Sequence, residues 1–200
     1  MREDDDRNYQ LNAHDALIIV DVQNDFLPGG ALAVRHGDAV IEPLNRMIEL
    51  FKGKDCPIIA TRDWHPQDHC SFKAQGGPWP VHCVAESKGA LFPKELRLPK
   101  SAWIISKATT AARDAYSGFD GTDLAERLKA QKIKRVWVGG LATDYCVRQT
   151  VLDALKLGLD VMVLFEAVRA VNLKPGDGDR AIDEMEDAGA ICVTLAEVAP

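Results

Sequence analysis

Six short apolar runs alternate with helical patterns along this chain of 200 residues. The runs are continuous rather than alternating in polarity, which is typical of strands buried on both faces of a parallel sheet. They cover residues 16–22, 56–63, 102–108, 133–140, 159–167 and 190–198. Helices are predicted at 37–54, 121–132, from about 144, and near 177–189. The alternation therefore predicts an α/β fold with a mostly parallel six-stranded sheet covered by helices on both faces.

Length and composition predict a single domain of ordinary globular type. We expect a charged, solvated tail over residues 1–14 and one domain over 15–200. A hydrophobic content of 46% with 27% charged residues is usual for such a domain. The tail lacks the apolar segment of a secretory signal, and no apolar run approaches the roughly 20 residues that span a bilayer.

Charge and cysteine content limit the partners that we expect. A formal net charge of −6 disfavours nucleic acid and anionic membranes as partners. The five cysteines are scattered and include no CxxC pair, which favours a reduced cytoplasmic location over a disulfide framework. The sequence leaves a homo-oligomer open, and a small-molecule substrate is the partner that we expect.

Reactive side chains follow four of the apolar runs. Asp21, Asp63 and Lys107 each stand at the end of a run, and the turn 143–146 follows a fourth. Ligands of open α/β sheets bind outside the carboxyl ends of the strands. We therefore expect these residues to share one rim of the sheet.

Cys146 lies where a helix is predicted to begin. With Thr143 as the N-cap, Cys146 would occupy the third helical position, where the helix dipole and nearby cations lower a thiol pKa. Free N–H groups in this turn could also hold an oxyanion. The alternative is a small apolar residue packed under the helix, because free cysteines are often buried.

Asp21 and Lys107 are predicted to pair on the same rim. A carboxylate at the end of a buried strand needs a partner, and a lysine at a neighbouring strand end supplies one. Asp21 could then act as general base for the thiol of Cys146, with Lys107 as its charge partner. A purely structural ion pair at the sheet edge is the alternative.

The loop at 64–98 contains a candidate metal site. Asp63 and His65 are two residues apart on an extended segment, and His82 can return from the loop, a set that suits Zn²⁺, Fe²⁺ or Mn²⁺. His69 is a further candidate ligand or could hold a metal-bound water. The alternatives are solvated histidines with Asp63 capping a turn, or a structural zinc site that uses the cysteines adjacent to two histidines. These are Cys70 and Cys83.

Several stretches resemble the nicotinamidase/pyrazinamidase branch of the isochorismatase-like cysteine hydrolases. They are VDVQNDFLPGGALAV, TRDWHPQDHCSF, GGPWPVHC, AYSGF and GLATDYCVRQTVLDA. The resemblance spans nearly the whole chain beyond the tail and implies a Rossmann-like three-layer α/β/α sandwich. The residue after Lys107 is Ala108, where the family commonly has glycine.

Residue roles follow from the resemblance. It implies a catalytic triad of Asp21, Lys107 and Cys146, an oxyanion hole formed by the amides of Ala142 and Cys146, and a cis peptide at Leu141–Ala142. It also implies one divalent metal, Zn²⁺ before Fe²⁺ or Mn²⁺, with a histidine of the same loop as an added ligand in some members. The implied metal ligands are Asp63, His65 and His82, with His69 as the candidate addition, and the implied pocket residues are Phe26, Trp79, Tyr145 and Tyr116.

The implied activity is hydrolysis of nicotinamide to nicotinate and ammonia through a thioester, in NAD salvage, with pyrazinamide as a second substrate. The alternatives within the fold are hydrolysis of N-carbamoyl or ureido substrates and isochorismatase activity, whose enzymes generally lack the metal set. A binding domain that kept the fold without catalysis is the alternative of another class.

Overall fold

A six-stranded parallel sheet organises the computed structural model, which describes residues 9–199. The strands are β1 (Tyr9–Gln10), β2 (Asp15–Val20), β3 (Ile58–Asp63), β4 (Trp103–Lys107), β5 (Arg135–Leu141), β6 (Asp160–Arg169), β7 (Ile191–Val193) and β8 (Val198–Ala199). The helices are α1 (Ile41–Gly53), α2 (Leu124–Ala130), α3 (Arg148–Lys156) and α4 (Asp177–Asp187). The main sheet has the order β4-β3-β2-β5-β6-β7, and each neighbouring pair is parallel.

The strand order reverses at the pair β2–β5. From β2 the chain builds outward through β3 to β4, and it then returns to place β5 on the other side of β2. A crevice opens at such a switch point, outside the carboxyl ends of the two strands. The residues that follow β2 and β5 therefore meet there, which brings Asp21 near Cys146.

Side chains of β2 alternate between two apolar cores. Leu17 and Ile19 pack on the face that carries α1, whereas Ile18 and Val20 pack on the face that carries the other helices. All four side chains are fully buried. The predicted parallel sheet between two helical layers is thus confirmed, because an unbroken apolar run leaves no polar face for solvent.

The last apolar run was predicted as one strand and instead divides into two. β7 ends at Val193, and Thr194 caps the following turn, since its backbone N–H donates to a carboxylate oxygen of Glu197 at 2.7 Å. β8 then pairs with β1 in a separate two-stranded sheet. Within the expected tail, Tyr9 packs on Trp137 and Leu11 is buried, so the segment 9–14 is held on the domain; residues 1–8 lie outside the described residues.

The predicted helix at 37–54 begins as a 3₁₀ turn, Gly37–Val40, before α1 starts. The helix predicted at 121–132 is shorter, Leu124–Ala130. Among the described residues, no helix has both the length and the apolar character needed to cross a membrane.

Candidate active site

The ammonium group of Lys107 lies at the centre of a buried cluster. Its Nζ atom lies 2.9 Å from Asp21 Oδ2 and 2.5 Å from Asp63 Oδ1, and it donates a hydrogen bond of 3.4 Å to Cys146 Sγ. It also donates to the carbonyl of Ala115 at 3.0 Å. The predicted proximity of Asp21, Lys107 and Cys146 is thus observed, and Asp63 is an additional partner that sequence reasoning did not assign to Lys107.

Charge and burial set the protonation of this cluster. Burial alone would lower the pKa of Lys107, but the carboxylates of Asp21 and Asp63 outweigh it and hold the pKa well above the ordinary lysine value. Burial raises the pKa of Asp21, partly offset by Lys107. The Oδ2 atom of Asp21 is buried and accepts no well-directed hydrogen bond, despite its closeness to Lys107. A buried carboxylate that has a raised pKa, and one oxygen without a well-directed hydrogen bond, is suited to take a proton.

Cys146 differs from its prediction in two respects. The helical segment begins at Thr143 after Ala142, and Cys146 lies in a π-helical turn, in which the N–H groups of its neighbours Tyr145 and Val147 both donate to the Ala142 carbonyl at 3.1 Å. Burial raises the pKa of the Cys146 thiol well above its usual value, although Lys107 opposes the shift. The expected lowering of this pKa was wrong, because the loss of solvent outweighs the nearby cation. The resting thiol is therefore protonated and needs a base.

The peptide bond between Leu141 and Ala142 is cis, as the resemblance implied. It joins the end of β5 to the π-helical turn, so Ala142 stands between the strand and Cys146. Gly140, just before it, has a φ of +128° and allows β5 to approach the backbone of Val20 in β2.

Asp63, His65 and His82 form a buried group whose ligand atoms lie within 4.8 Å of one another. The Nδ1–H of His65 donates to the Ala108 carbonyl at 3.1 Å, which leaves its buried Nε2 atom without a partner. The Nδ1–H of His82 donates to the Pro80 carbonyl at 2.8 Å. At metal sites, a carbonyl that accepts the N–H of a histidine ring fixes the tautomer of that ring.

Burial and the neighbouring imidazoles lower the pKa of His65 to about 3, so its ring stays neutral and keeps a lone pair. A neutral imidazole with an orphaned nitrogen, beside a carboxylate and a second imidazole, fits a divalent metal ion. The residues present thus match the donor chemistry that the sequence predicted.

His69, the candidate further ligand, lies outside the metal-compatible groups found among residues 9–199, and its ring nitrogens have other partners. Its Nδ1 atom lies 2.7 Å from Ser71 Oγ and also accepts the Ser71 N–H at 3.3 Å, whereas its Nε2–H donates to the Arg113 carbonyl at 3.1 Å. Both ring nitrogens are therefore engaged, and the ring stacks on His65 at 4.1 Å between centroids. His69 therefore packs against the candidate ligand His65.

A structural zinc site built from the loop cysteines is also not supported. Neither Cys70 nor Cys83 belongs to the metal-compatible groups found among residues 9–199. Burial raises the pKa of the Cys83 thiol, and the carboxylates of Asp63 and Asp25 add to the shift. A protonated thiol is a poor metal ligand.

Two supporting side chains were not singled out from the sequence. Thr61 donates to Asp21 Oδ1 at 2.7 Å, so this oxygen is held by a hydrogen bond while Oδ2 faces Lys107. The Gln23 side-chain amide accepts the Asp63 N–H and donates to the Asp63 carbonyl, both at 2.8 Å. The only feature of the sequence that could have indicated them is their position, because each stands two residues from a predicted functional aspartate.

A small cavity joins the thiol cluster to the metal-compatible group. Its walls include Cys146 and Ala142 as well as Asp63 and His82. Further lining residues are Phe26, Leu32, Val34, Trp79, Tyr116, Leu141, Tyr145 and Val171. All four predicted pocket residues, Phe26, Trp79, Tyr116 and Tyr145, are among them.

The aromatic side chains that line the cavity contact one another. Trp79 Nε1–H donates to Tyr116 Oη at 3.0 Å, and Tyr145 makes an edge contact with Trp79 at 5.1 Å between centroids. Phe26 faces His82 from the other side, at 5.6 Å. An apolar slot lined by a buried thiol, a carboxylate and the imidazole of His82 suits an aromatic ring that carries a polar group.

Fold and site together define a parallel α/β protein with a cysteine–aspartate–lysine cluster beside a metal-compatible group. The family model described as the isochorismatase domain matches residues 15–197. This chain belongs to the isochorismatase family.

Its relatives within that family include nicotinamidases. A nicotinamidase of Escherichia coli is 40% identical over 203 residues, covering 91% of this chain and 95% of the relative. The crystal structure of a pyrazinamidase of Pyrococcus horikoshii in complex with zinc is 52% identical, with a TM-score of 0.88 over 91% of this chain and 99% of that one. PnC1 from L. infantum in complex with nicotinate is 36% identical, with a TM-score of 0.89 over 96% of this chain and 98% of that one.

Proposed function

We propose that this protein is a nicotinamidase, an amidohydrolase that converts nicotinamide to nicotinate and ammonia in NAD salvage, with pyrazinamide as a second substrate. The observation that carries the proposal is the single cavity lined by Cys146, by Asp63 and His82, and by aromatic side chains. The named activities of its relatives support the substrate class.

Cys146 is the proposed nucleophile and Asp21 its base. The Asp21 carboxylate takes the thiol proton as sulfur attacks the carboxamide carbon, so that the amide π electrons move onto oxygen. The N–H groups of Ala142 and Cys146 hold this oxyanion. When it collapses, the C–N bond breaks and the protonated Asp21 delivers its proton to the leaving ammonia, which leaves a thioester.

The second half of the reaction reverses these roles. Asp21 accepts a proton from the attacking water as a C–O bond forms, the C–S bond then breaks, and the Cys146 thiol is restored as nicotinate leaves. Lys107 keeps its ammonium charge throughout, since the nearby carboxylates raise its pKa. It offsets the negative charge on Asp21 and Asp63 and the charge that develops on the Cys146 sulfur during attack. Its contacts orient Asp21 without taking part in proton transfer.

Asp63, His65 and His82 are proposed to hold one divalent metal ion, Zn²⁺ before Fe²⁺ or Mn²⁺. Bound there, the ion would supply a Lewis-acidic point for the ring nitrogen of the substrate. The zinc complex of the pyrazinamidase relative supports this choice, and imidazole with carboxylate suits all three ions. Phe26, Trp79, Tyr116 and Tyr145 are proposed to enclose the ring.

Ammonia release tests the substrate. The metal-loaded protein is assayed with nicotinamide, pyrazinamide and an N-carbamoyl amino acid, and we expect turnover of the first two. Cys146→Ala should abolish it, whereas Cys192→Ala, a half-buried thiol in β7, should leave the rate unchanged. Turnover of the carbamoyl substrate alone, or substantial activity in Cys146→Ala, would contradict the proposal.

We also propose a cytoplasmic location. All five cysteines are free thiols, which supports a reducing compartment. The homo-oligomeric state stays a prediction.

A further inference from the structure

Asp25, in the turn that follows β2, reaches across to the loop that contains His82. Its Oδ2 atom accepts the Cys83 N–H at 2.7 Å, and its Oδ1 atom accepts the Ala31 N–H at 3.3 Å. The first of these bonds joins segments 58 residues apart, directly beside a proposed metal ligand. The carboxylate has no contact with the metal-compatible group itself among the contacts of the described residues.

Cys83 is held in a backbone conformation that a side chain rarely adopts. Its φ is +45°, in the left-handed region, and the residue is fully buried. Left-handed backbone costs free energy for any residue with a Cβ, so it persists only where surrounding contacts impose it. Two hydrogen bonds of the Cys83 backbone hold this conformation. Its N–H donates to Asp25, and its carbonyl accepts the His65 N–H at 3.0 Å.

This arrangement sets the direction in which His82 points. The imidazole of His82 makes its own hydrogen bond to Pro80, in the same loop, so that bond does not locate the loop relative to the sheet. The Cys83 peptide does locate it, because it is tied to Asp25 on one side and to the segment of His65 on the other. Release of the Asp25 bond would let Cys83 relax and turn His82 away from Asp63.

Gly89 provides the space that Asp25 requires. The Asp25 N–H donates to the Gly89 carbonyl at 3.0 Å, and a Cβ built at Gly89 would lie 2.1 Å from Asp25 Oδ2 and 2.3 Å from its Cγ. Any side chain at position 89 would therefore push the carboxylate off Cys83. Gly89 has no positive φ, so an alanine there meets this contact and no backbone strain.

We propose that Asp25 is a positioning residue of the metal site, which fixes Cys83 and thereby aims His82, and that Gly89 is small so that the carboxylate can do so. The inference rests on the proposed metal ligands. It concerns the affinity for the metal and not a chemical step, so it is measurable without turnover.

Zinc affinity of the metal-stripped full chain, measured by competition with a chromophoric chelator, tests the inference. Asp25→Ala should weaken Zn²⁺ binding about tenfold or more, the range seen when outer contacts of metal ligands are removed. Asp25→Asn keeps an oxygen that can accept the Cys83 N–H, so it should stay closer to the unaltered protein than to Asp25→Ala. This rescue separates the hydrogen bond from a general loss of packing.

Gly89→Ala tests the same hydrogen bond independently, and it can replace Asp25→Ala if that variant does not fold. It should weaken Zn²⁺ binding as Asp25→Ala does, and the double variant should bind no more weakly than Asp25→Ala alone, because the displaced carboxylate is then absent. Gly53→Ala is its matched control, since nothing lies within 4 Å of a Cβ there. Asp144→Asn is the control for Asp25→Asn, because Asp144 also accepts two backbone N–H groups, from Val171 and Asn172, away from the metal loop.

The outcomes distinguish this inference from the proposed function. His82→Ala should lose Zn²⁺ binding; if it does and Asp25→Ala and Gly89→Ala do not, the positioning role is overturned and the metal site stands. Unchanged binding in His82→Ala would overturn the ligand set itself. Losses that multiply in the double variant would overturn the role of Gly89, because the two changes would then act independently.

Discussion

Lys107 connects the two halves of the site at the scale of single residues. Its ammonium group contacts the proposed base Asp21 and the proposed metal ligand Asp63, and all three side chains are buried. Two carboxylates this close would repel each other without a cation between them. The lysine therefore supports the fold as well as the chemistry.

Removal of this cation should cost stability and activity together. Lys107→Gln leaves two buried carboxylates uncompensated, and we expect a loss of about 3–5 kcal/mol in the free energy of unfolding, measured by urea denaturation. Arg113→Gln breaks the exposed pair with Asp120 and should cost at most about 1 kcal/mol. Equal losses in the two variants would contradict the structural role of Lys107.

The neutral ring of His65 should make the metal-free protein sensitive to acid. In the unfolded chain this histidine takes up a proton near its ordinary pKa of 6.5, whereas in the folded protein its pKa is about 3. Between these values the unfolded state binds more protons, so stability falls as the pH falls. At pH 5 the loss reaches about 2 kcal/mol relative to pH 7.

Urea denaturation of the metal-stripped protein at several pH values measures this effect. His65→Asn should flatten the dependence between pH 7 and pH 5, where ordinary carboxylates titrate little. His36→Asn is the control, because His36 is exposed and asparagine tolerates its left-handed backbone. An undiminished slope in His65→Asn would assign the acid sensitivity to other groups.

The contact between β2 and β5 decides the geometry at the scale of elements. β5 approaches β2 closely at Gly140, where a Cβ would lie 2.1 Å from the Val20 carbonyl oxygen. The strand then leads into the Leu141–Ala142 bond and the turn of Cys146. Gly140 thus allows the turn of Cys146 and the residue after β2, Asp21, to meet.

Gly140→Ala should therefore separate the two strands. The backbone clash and the positive φ together predict a loss of about 2–4 kcal/mol in unfolding free energy, with lower activity. Gly121→Ala shares a positive φ but meets open space, so it should cost about 1 kcal/mol and leave turnover intact. Similar losses in both variants would show that backbone strain, and not the close approach, decides the effect.

At the scale of the whole molecule, the fold and the position of the site could be predicted from the sequence, because both follow from patterns that repeat along the chain. Continuous apolar runs indicated the parallel sheet, and their last residues indicated the shared rim of Asp21, Asp63 and Lys107. The contacts of His69 could not be predicted, since they depend on a carbonyl 44 residues away in the chain. The pKa of Cys146 was predicted in the wrong direction, because burial is a property of the folded molecule and outweighs the local charge pattern.

Metal binding should stabilise the entire domain, because its ligands come from segments that meet only in the folded chain. Asp63 ends β3, whereas His82 lies in the long loop before β4. An ion bound only by the folded state adds about 2.7 kcal/mol to the free energy of unfolding when its free concentration is 100 times its Kd. This raises the Tm by about 5–10 °C for a chain of this size.

Thermal unfolding of metal-stripped protein with added Zn²⁺ should show this shift, and Mg²⁺ at the same concentration should show much less, because it prefers oxygen ligands. His82→Ala should unfold at a Tm that Zn²⁺ does not change; an equal shift in that variant would place the stabilising ion elsewhere.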